Sequence, residues 1–185
     1  AMVSKEELTY VAKDTDFQSL LRKAKRANPD FIFIPGYYVE VGLIIKQARA
    51  LGINVPFLGG DGWDSPKLFE IAGNAAKGSY MSNHFAPDDK DPVVQNFVKE
   101  YTKAYGVKPG GFAALGYDSL GIMNAAIQKA KSLNPTDINA ALVATKNYPG
   151  VTGLITFDKD RNPKKAAVVL EAQENAFVFH SKINP

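Results

Sequence analysis

Apolar positions along this chain come in two rhythms. Short continuous runs alternate with longer stretches in which apolar residues recur every three or four positions. "ELTYVA" (7–12) reads as a strand, and "TDFQSLLRKAKRA" as a helix with Phe17, Leu20, Leu21, Ala24 and Ala27 on one face. Thr15 and Gln18 have the spacing of a capping box. "DFIFIPG", between Pro29 and Gly36, predicts a buried parallel strand. "VEVGLIIKQARALG" predicts a helix closed by Gly52, and "VPFLGG" a strand. A short helix follows, capped by Asp64 or Ser65, with Pro66 in its first turn and Gly73 at its end. "KGSYMSN" is a strand. "DPVVQNFVKEYTKAYG" is a helix capped by Asp91 and stopped by Gly106, with Val94, Phe97, Val98, Tyr101 and Tyr105 along one side. Strands and helices in this alternation predict an α/β fold with a parallel sheet, right-handed crossovers and helices on both faces.

The rest of the chain breaks the alternation. "GFAALGYDSLGIMNAAIQKAKS" predicts a long helix of small residues, and "NPTDINAALVATK" a second one. "GLITFDKDRNPKKAAVVLEAQENAFVFH" then predicts three strands joined by polar turns at Asp158–Pro163 and Glu174-Asn175. Two helices and an antiparallel meander belong to a different layer or lobe from the parallel sheet.

Composition narrows the function more than the fold. Over 185 residues, 45% are hydrophobic and 22% charged, which suits one globular domain or a little more. A net charge of +3, from 22 basic and 19 acidic residues spread along the chain, gives no nucleic-acid footprint. No apolar run has the length of a membrane span, and no export signal is evident at the start. The absence of cysteine excludes disulfides and thiolate metal sites, and leaves the redox compartment open.

Catalytic and metal motifs fail on their own spacing. "DKDRN" (158–162) begins like a calcium loop, but Pro163 stands where glycine is needed and Val169 where the bidentate glutamate is needed. It reads as a hairpin turn. His84 and His180, the chain's two histidines, lie far apart with no partner at ligand spacing, so no metal is expected. "GYDSLG" (116–121) has one residue too many before its serine for a nucleophile elbow, and "GGDGWD" lacks the third glycine and the lysine of phosphate loops. Neither catalytic residues nor a cofactor is expected, and the protein reads as something other than an enzyme.

What remains is position. In an open α/β sheet, ligands bind beyond the carboxyl ends of the strands. "FIFIPGYY" ends one strand with Tyr37 and Tyr38, and "VPFLGGDGW" ends the next with Asp61 and Trp63, the chain's single tryptophan. Two readings stand side by side. In one, Asp61 only stabilises a turn and Trp63 packs on a helix. In the other, these residues form a site for a small cation-bearing ligand, with the carboxylate accepting from an ammonium group between aromatic walls.

The stretch "DFIFIPGYYVEVGLIIKQARALGINVPFLGGDGWDSPKLFEIAGNAAKGSYMSNHF" resembles the second lobe of the branched-chain amino-acid-binding receptors. These are the type I periplasmic binding proteins of Leu/Ile/Val ABC transporters. The likeness extends from "TDFQSLL" through "FAALGYDSL" to the "GLITFD" turn. It implies a flavodoxin-like, three-layer second lobe. Residues 3–110 would form that lobe without its first strand and helix. Residues 111–163 would belong to the first lobe of full-length relatives, and 164–185 would return to the second. Crossings are expected near Gly110–Phe112 and Pro163–Ala166. The resemblance further implies that Tyr37 lines an amino-acid site, that Asp61 binds the α-ammonium group and that Phe112 lies near the ligand.

A full receptor of this kind carries a first lobe ahead of "ELTYVA", including the Ser/Thr loop that holds the ligand carboxylate. The expectation is therefore a C-terminal fragment with half a site, weak for amino acids by itself. In the parent family it would be periplasmic or extracellular and would work with an ABC permease. The alternative is a fragment without ligand that persists as an oligomer in a structural role. Unpaired strand edges, and exposure of some of Leu115, Leu120, Ile122, Ile127 and Leu142, predict a homodimer.

Overall fold

The computed structural model describes residues 7–184. They fall into two compact units, one running to Ser82 and including Leu170–Val178, the other made of Asn83–Val169 and the residues from Phe179 onward.

The first unit is an α/β layer structure. Helix α1 spans Gln18–Arg26, β1 Ile32–Phe33, α2 Tyr38–Ala50, β2 Phe57–Gly59, α3 Pro66–Ala72 and β3 Tyr80–Asn83. Strands β1, β2 and β3 run parallel, with Ile32 beside Phe57 and Gly59 beside Met81. They continue into β7 (Ala167–Ala172) and β8 (Phe177–Ile183), in the order β1-β2-β3-β7-β8. Helix α2 packs against α1 and α3. Its Val41, Ile45 and Ala48 are fully buried, as are Phe57 and Leu68. Between the two candidate caps of α3, Ser65 is the one used, accepting from the Lys67 amide at 3.3 Å. The carbon chemistry of this layer is that of an ordinary apolar core, stabilised by area removed from water.

Three expectations need correction here. Residues 7–12 form no strand. Leu8 and Val11 are exposed, and Tyr10 instead turns its ring edge-on to Phe17 and donates its hydroxyl to the Pro35 carbonyl. A strand persists through its ladder partner, and none of the described strands pairs with this segment. The Thr15–Gln18 capping box is absent too. The Gln18 amide bonds to Asp16 Oδ1, while Gln47 reaches across from α2 to the Phe17 amide and the Thr15 carbonyl. Strand β1, finally, is an edge strand rather than a buried one. Phe31 is 50% and Phe33 60% exposed, whereas Ile34 is buried.

In the second unit, α4 spans Pro92–Tyr105, α5 Gly111–Lys129 and α6 Pro135–Val143. Asp91 accepts from the Val93 amide at 2.9 Å, and Gly106 ends α4 in the left-handed region. Strands β4 (Tyr148–Gly150), β5 (Gly153–Phe157) and β6 (Pro163–Lys164) make a separate antiparallel sheet. The tail thus holds five strands in two sheets, not one three-stranded meander. The 158–162 stretch is the expected hairpin turn, with Asp158 Oδ1 accepting from the amides of Asp160 and Asn162. Phe85, Val94, Phe97, Ala114 and Val151 form this unit's core. Of the helical residues expected to be bare, Leu120 is 73% and Ile127 39% exposed, while Ile122 is buried.

Candidate functional site

The carboxyl ends of β1 and β2 lie on one rim because the two strands are parallel neighbours, joined by Ile32 N–H to Pro56 O and Ile34 N–H to Leu58 O. From β1 the chain passes through Gly36 and Tyr37 into α2. From β2 it passes through Gly60 into a single 3-10 turn, Asp61–Trp63. The two loops meet closely. A Cβ on Gly62 would stand 2.5 Å from the Gly36 carbonyl oxygen and 3.2 Å from Tyr37 Cδ1, so only glycine allows this approach. Tyr37 is 70% exposed and Asp61 is exposed on the same rim. The fold therefore brings an aromatic ring and a carboxylate to one edge.

Trp63 sits elsewhere. It is fully buried, and its Nε1–H donates to the Ile34 carbonyl at 3.2 Å. Its ring lies over Gly59, where an added Cβ would be 2.1 Å from indole Cε2. As a wall of a ligand site the residue is therefore withdrawn: a large apolar ring with one donor gains more from a buried slot and a carbonyl partner than from an open rim. It packs against the strand backbone at Gly59. Tyr38 is likewise not a strand-end residue but the first residue of α2, half-buried, with Tyr37 preceding it as the extended N-cap residue. Phe112 belongs to the second unit, in the first turn of α5, and is 75% exposed.

Sequence reasoning missed Tyr10 as a neighbour of this rim. Gly36 adopts a φ of +142°, and a Cβ there would run into the Tyr10 hydroxyl. Burial first, and then the charge of Glu40, raise the Tyr10 phenol above its ordinary value. Glu40 in turn accepts from the Lys13 amide at 2.8 Å. The glycines at 36, 59 and 62 were the available signal, since each marks a place where something stands close to the backbone.

The chemistry open to the rim is recognition. Asp61 can accept from an ammonium group, and Tyr37 can cover the apolar part of a small ligand or face its cation. Among the described residues, no group of three or more His, Asp or Glu side chains is placed to hold a metal ion. No described helix is long and apolar enough to cross a membrane.

The second unit holds an open groove of about 790 Å³ between α4 and α5, lined by Phe97, Tyr101, Tyr105, Tyr117 and Leu120 among others. Close by, the buried Asp118 carboxylate accepts from the Val151 and Thr152 amides at 2.7 and 2.8 Å. Lys165 donates to the carbonyls of Thr152, Ala166 and His84, and burial lowers its pKa.

Comparison with known proteins places this geometry. Residues 4–176 match the family model described as periplasmic binding protein. A Leu/Ile/Val-binding protein homolog from Brucella suis is 30% identical over 158 residues, covering 85% of this chain and 42% of its own length. The Leu/Ile/Val-binding protein of Escherichia coli is 31% identical over 150 residues, covering 80% of this chain and 39% of its own. A solved leucine-binding protein from Thermotoga maritima superposes with a TM-score of 0.91 at 36% identity, over 97% of this chain and 52% of that one. A branched-chain amino acid transporter substrate-binding protein from Streptococcus pneumoniae, solved in complex with isoleucine, gives 0.84 at 35%, over 95% and 51%. The chain spans about half the length of these relatives. Family members are solute-binding proteins rather than enzymes. With its parallel α/β sheet and a family match across nearly its whole length, the chain belongs to the periplasmic binding protein family, among the type I members related to branched-chain amino-acid receptors.

Proposed function

We propose that this chain supplies one wall of an amino-acid site in an ABC-transporter solute-binding protein, as a C-terminal portion of the two-lobed receptor. The observation that carries the reading is the meeting of the Gly36–Tyr37 and Asp61–Trp63 loops at one rim, which presents Asp61 and Tyr37 together. Asp61 takes the α-ammonium group, and Tyr37 lies along the ligand. A branched-chain amino acid is the ligand class that the relatives' names favour. An ABC permease is the downstream partner, and the compartment is periplasmic or extracellular.

Titration with leucine, isoleucine and valine tests this. The chain by itself should bind weakly, with Kd near or above about 1 mM, because enclosure on a second side supplies much of a small ligand's affinity. Micromolar binding by a monomer would contradict half-site behaviour. No response to any of the three would remove the reading.

The second reading is self-association in a structural role, and β1 favours it. This strand is the edge of the five-stranded sheet, and Phe33 on it and Phe31 just before it stand exposed. A homodimer that pairs two such edges should bury more than about 1,000 Å². Light scattering on a sizing column reads the outcome directly. A monomer peak with cooperative melting would defeat it.

A further inference from the structure

We propose that Trp63 is the positioning residue of the rim: it fixes Asp61 at the place where a ligand's ammonium group is met. This rests on the amino-acid reading above. The 3-10 turn that carries Asp61 is one turn long, and a turn so short has little internal stiffness of its own. The residue at its other end anchors it. The indole of Trp63 is fully buried across the Gly59 backbone, and its N–H is bonded to the carbonyl of Ile34, the residue just after β1.

Trp63 therefore ties the loop after β2 to the end of β1, and Gly62 lets the tied loop lie on the Gly36 carbonyl beside Tyr37. Two anchors, one on each strand, leave the turn a single seating. Asp61 itself is exposed, and its backbone is seated with the turn that Trp63 anchors. A carboxylate bond to an ammonium group depends on distance and direction, so the anchor two residues away decides whether that bond forms.

The test uses the 185-residue chain and two probes, leucine and its des-amino analogue 4-methylpentanoate. In Trp63→Phe, which keeps an aromatic ring and loses the indole N–H, leucine affinity should fall on the order of tenfold, the scale of one charge-assisted hydrogen bond. Affinity for 4-methylpentanoate should not change. Equal losses for both probes would mean that Trp63 merely supports the fold, and unchanged leucine affinity would also overturn the inference.

Gly62→Ala is the second variant. It removes no core volume and pushes the turn off the Gly36 carbonyl, and the same split between probes is expected. On the unaltered chain, nuclear magnetic resonance gives one indole N–H signal, since there is one tryptophan. That signal should be slow to exchange and should move with leucine but not with 4-methylpentanoate. A signal indifferent to leucine would overturn the proposal without any variant. Asp61→Ala separates the two levels. If it leaves leucine affinity intact, the amino-acid reading of the rim fails. If it abolishes the affinity while Trp63→Phe and Gly62→Ala do not split the probes, only the positioning role fails.

Discussion

Asp61 and Asp118 occupy similar-looking sequence, "GGDGW" and "GYDSL", one in each unit, and the fold uses them in opposite ways. Asp118 is 3% exposed, and its two oxygens take the amides of Val151 and Thr152, the two residues of the tight loop between β4 and β5. The corner is closed around it so tightly that a Cβ on Gly150 would stand 2.7 Å from its Oδ2. Asp61 is exposed, and the precision around it lies in the backbone below, where Trp63 and the glycines are packed. An acid used for structure is consumed by internal donors. On the proposed reading, an acid used for recognition is kept at the surface on a rigid mount.

The sharpest way to break this contrast is at the mount. Trp63→Ala should cost about 3–5 kcal/mol, as removal of a fully buried tryptophan does. Denaturant unfolding measures it. A loss of under about 1 kcal/mol would show the rim to be loosely held. Asp118→Ala comes next. It leaves two buried amides without an acceptor, each costing about 1–3 kcal/mol, so a loss of at least about 2 kcal/mol is expected by the same measurement. Asp61→Ala should be the mirror image. Stability should move by less than about 0.5 kcal/mol, while leucine binding should lose about 1.5–3 kcal/mol. Calorimetry and melting on one sample read both. A stability loss rivalling that of Asp118→Ala would erase the distinction between the two acids.

The smallest effect is on pH dependence at the Asp118 corner. Burial first, then the charges of Asp118 and Tyr117, raise the Tyr148 phenol above its ordinary value of 10.0. A group whose pKa is raised by folding holds its proton more tightly in the folded state. Its contribution is therefore complete below about pH 10 and fades as pH rises through the raised value. Asp118→Asn removes one of the causes, so near-ultraviolet titration of the phenol should show Tyr148 ionising at lower pH. No shift would mean that the Asp118 charge does not reach the ring.

Much of the architecture could be read from local chemistry. Asp91-Pro92, Ser65-Pro66 and Asn134-Pro135 each mark a helix start that the structure uses, and Gly106 marks a stop. These signals work because a cap is satisfied by atoms within three residues. The parallel order of β1, β2 and β3 was legible as well, since the helices between them leave no shorter route. Residues 7–12 were misread for the complementary reason. Their alternation is strand-like, but a strand is made by its neighbour, and period alone cannot report whether one is present.

Site residues divide along the same line. Tyr37 and Asp61 could be placed on one rim from the sequence because both follow parallel strands, and topology sends the ends of such strands to one side. Tyr38 and Trp63, adjacent to them in type and position, could not be assigned correctly. Whether an aromatic at a strand end turns outward or inward depends on what lies opposite, and for Trp63 that is the bare backbone of Gly59 and the Ile34 carbonyl.

By itself the sequence determined the helices and most of their ends, the parallel strand–helix order and the family. All of these depend on contacts within a few residues or on connectivity. Only the tertiary structure decided that Asp118 is buried on two amides, that the tail's strands divide between two sheets, that β1 is an edge, and that the tryptophan is a strut. Each of those is settled by a partner distant in the chain: Asp118 by amides 33 and 34 residues on, Trp63 by a carbonyl 29 residues back. Burial is a property of the surroundings, so a side chain's role is fixed only when the chain has folded around it.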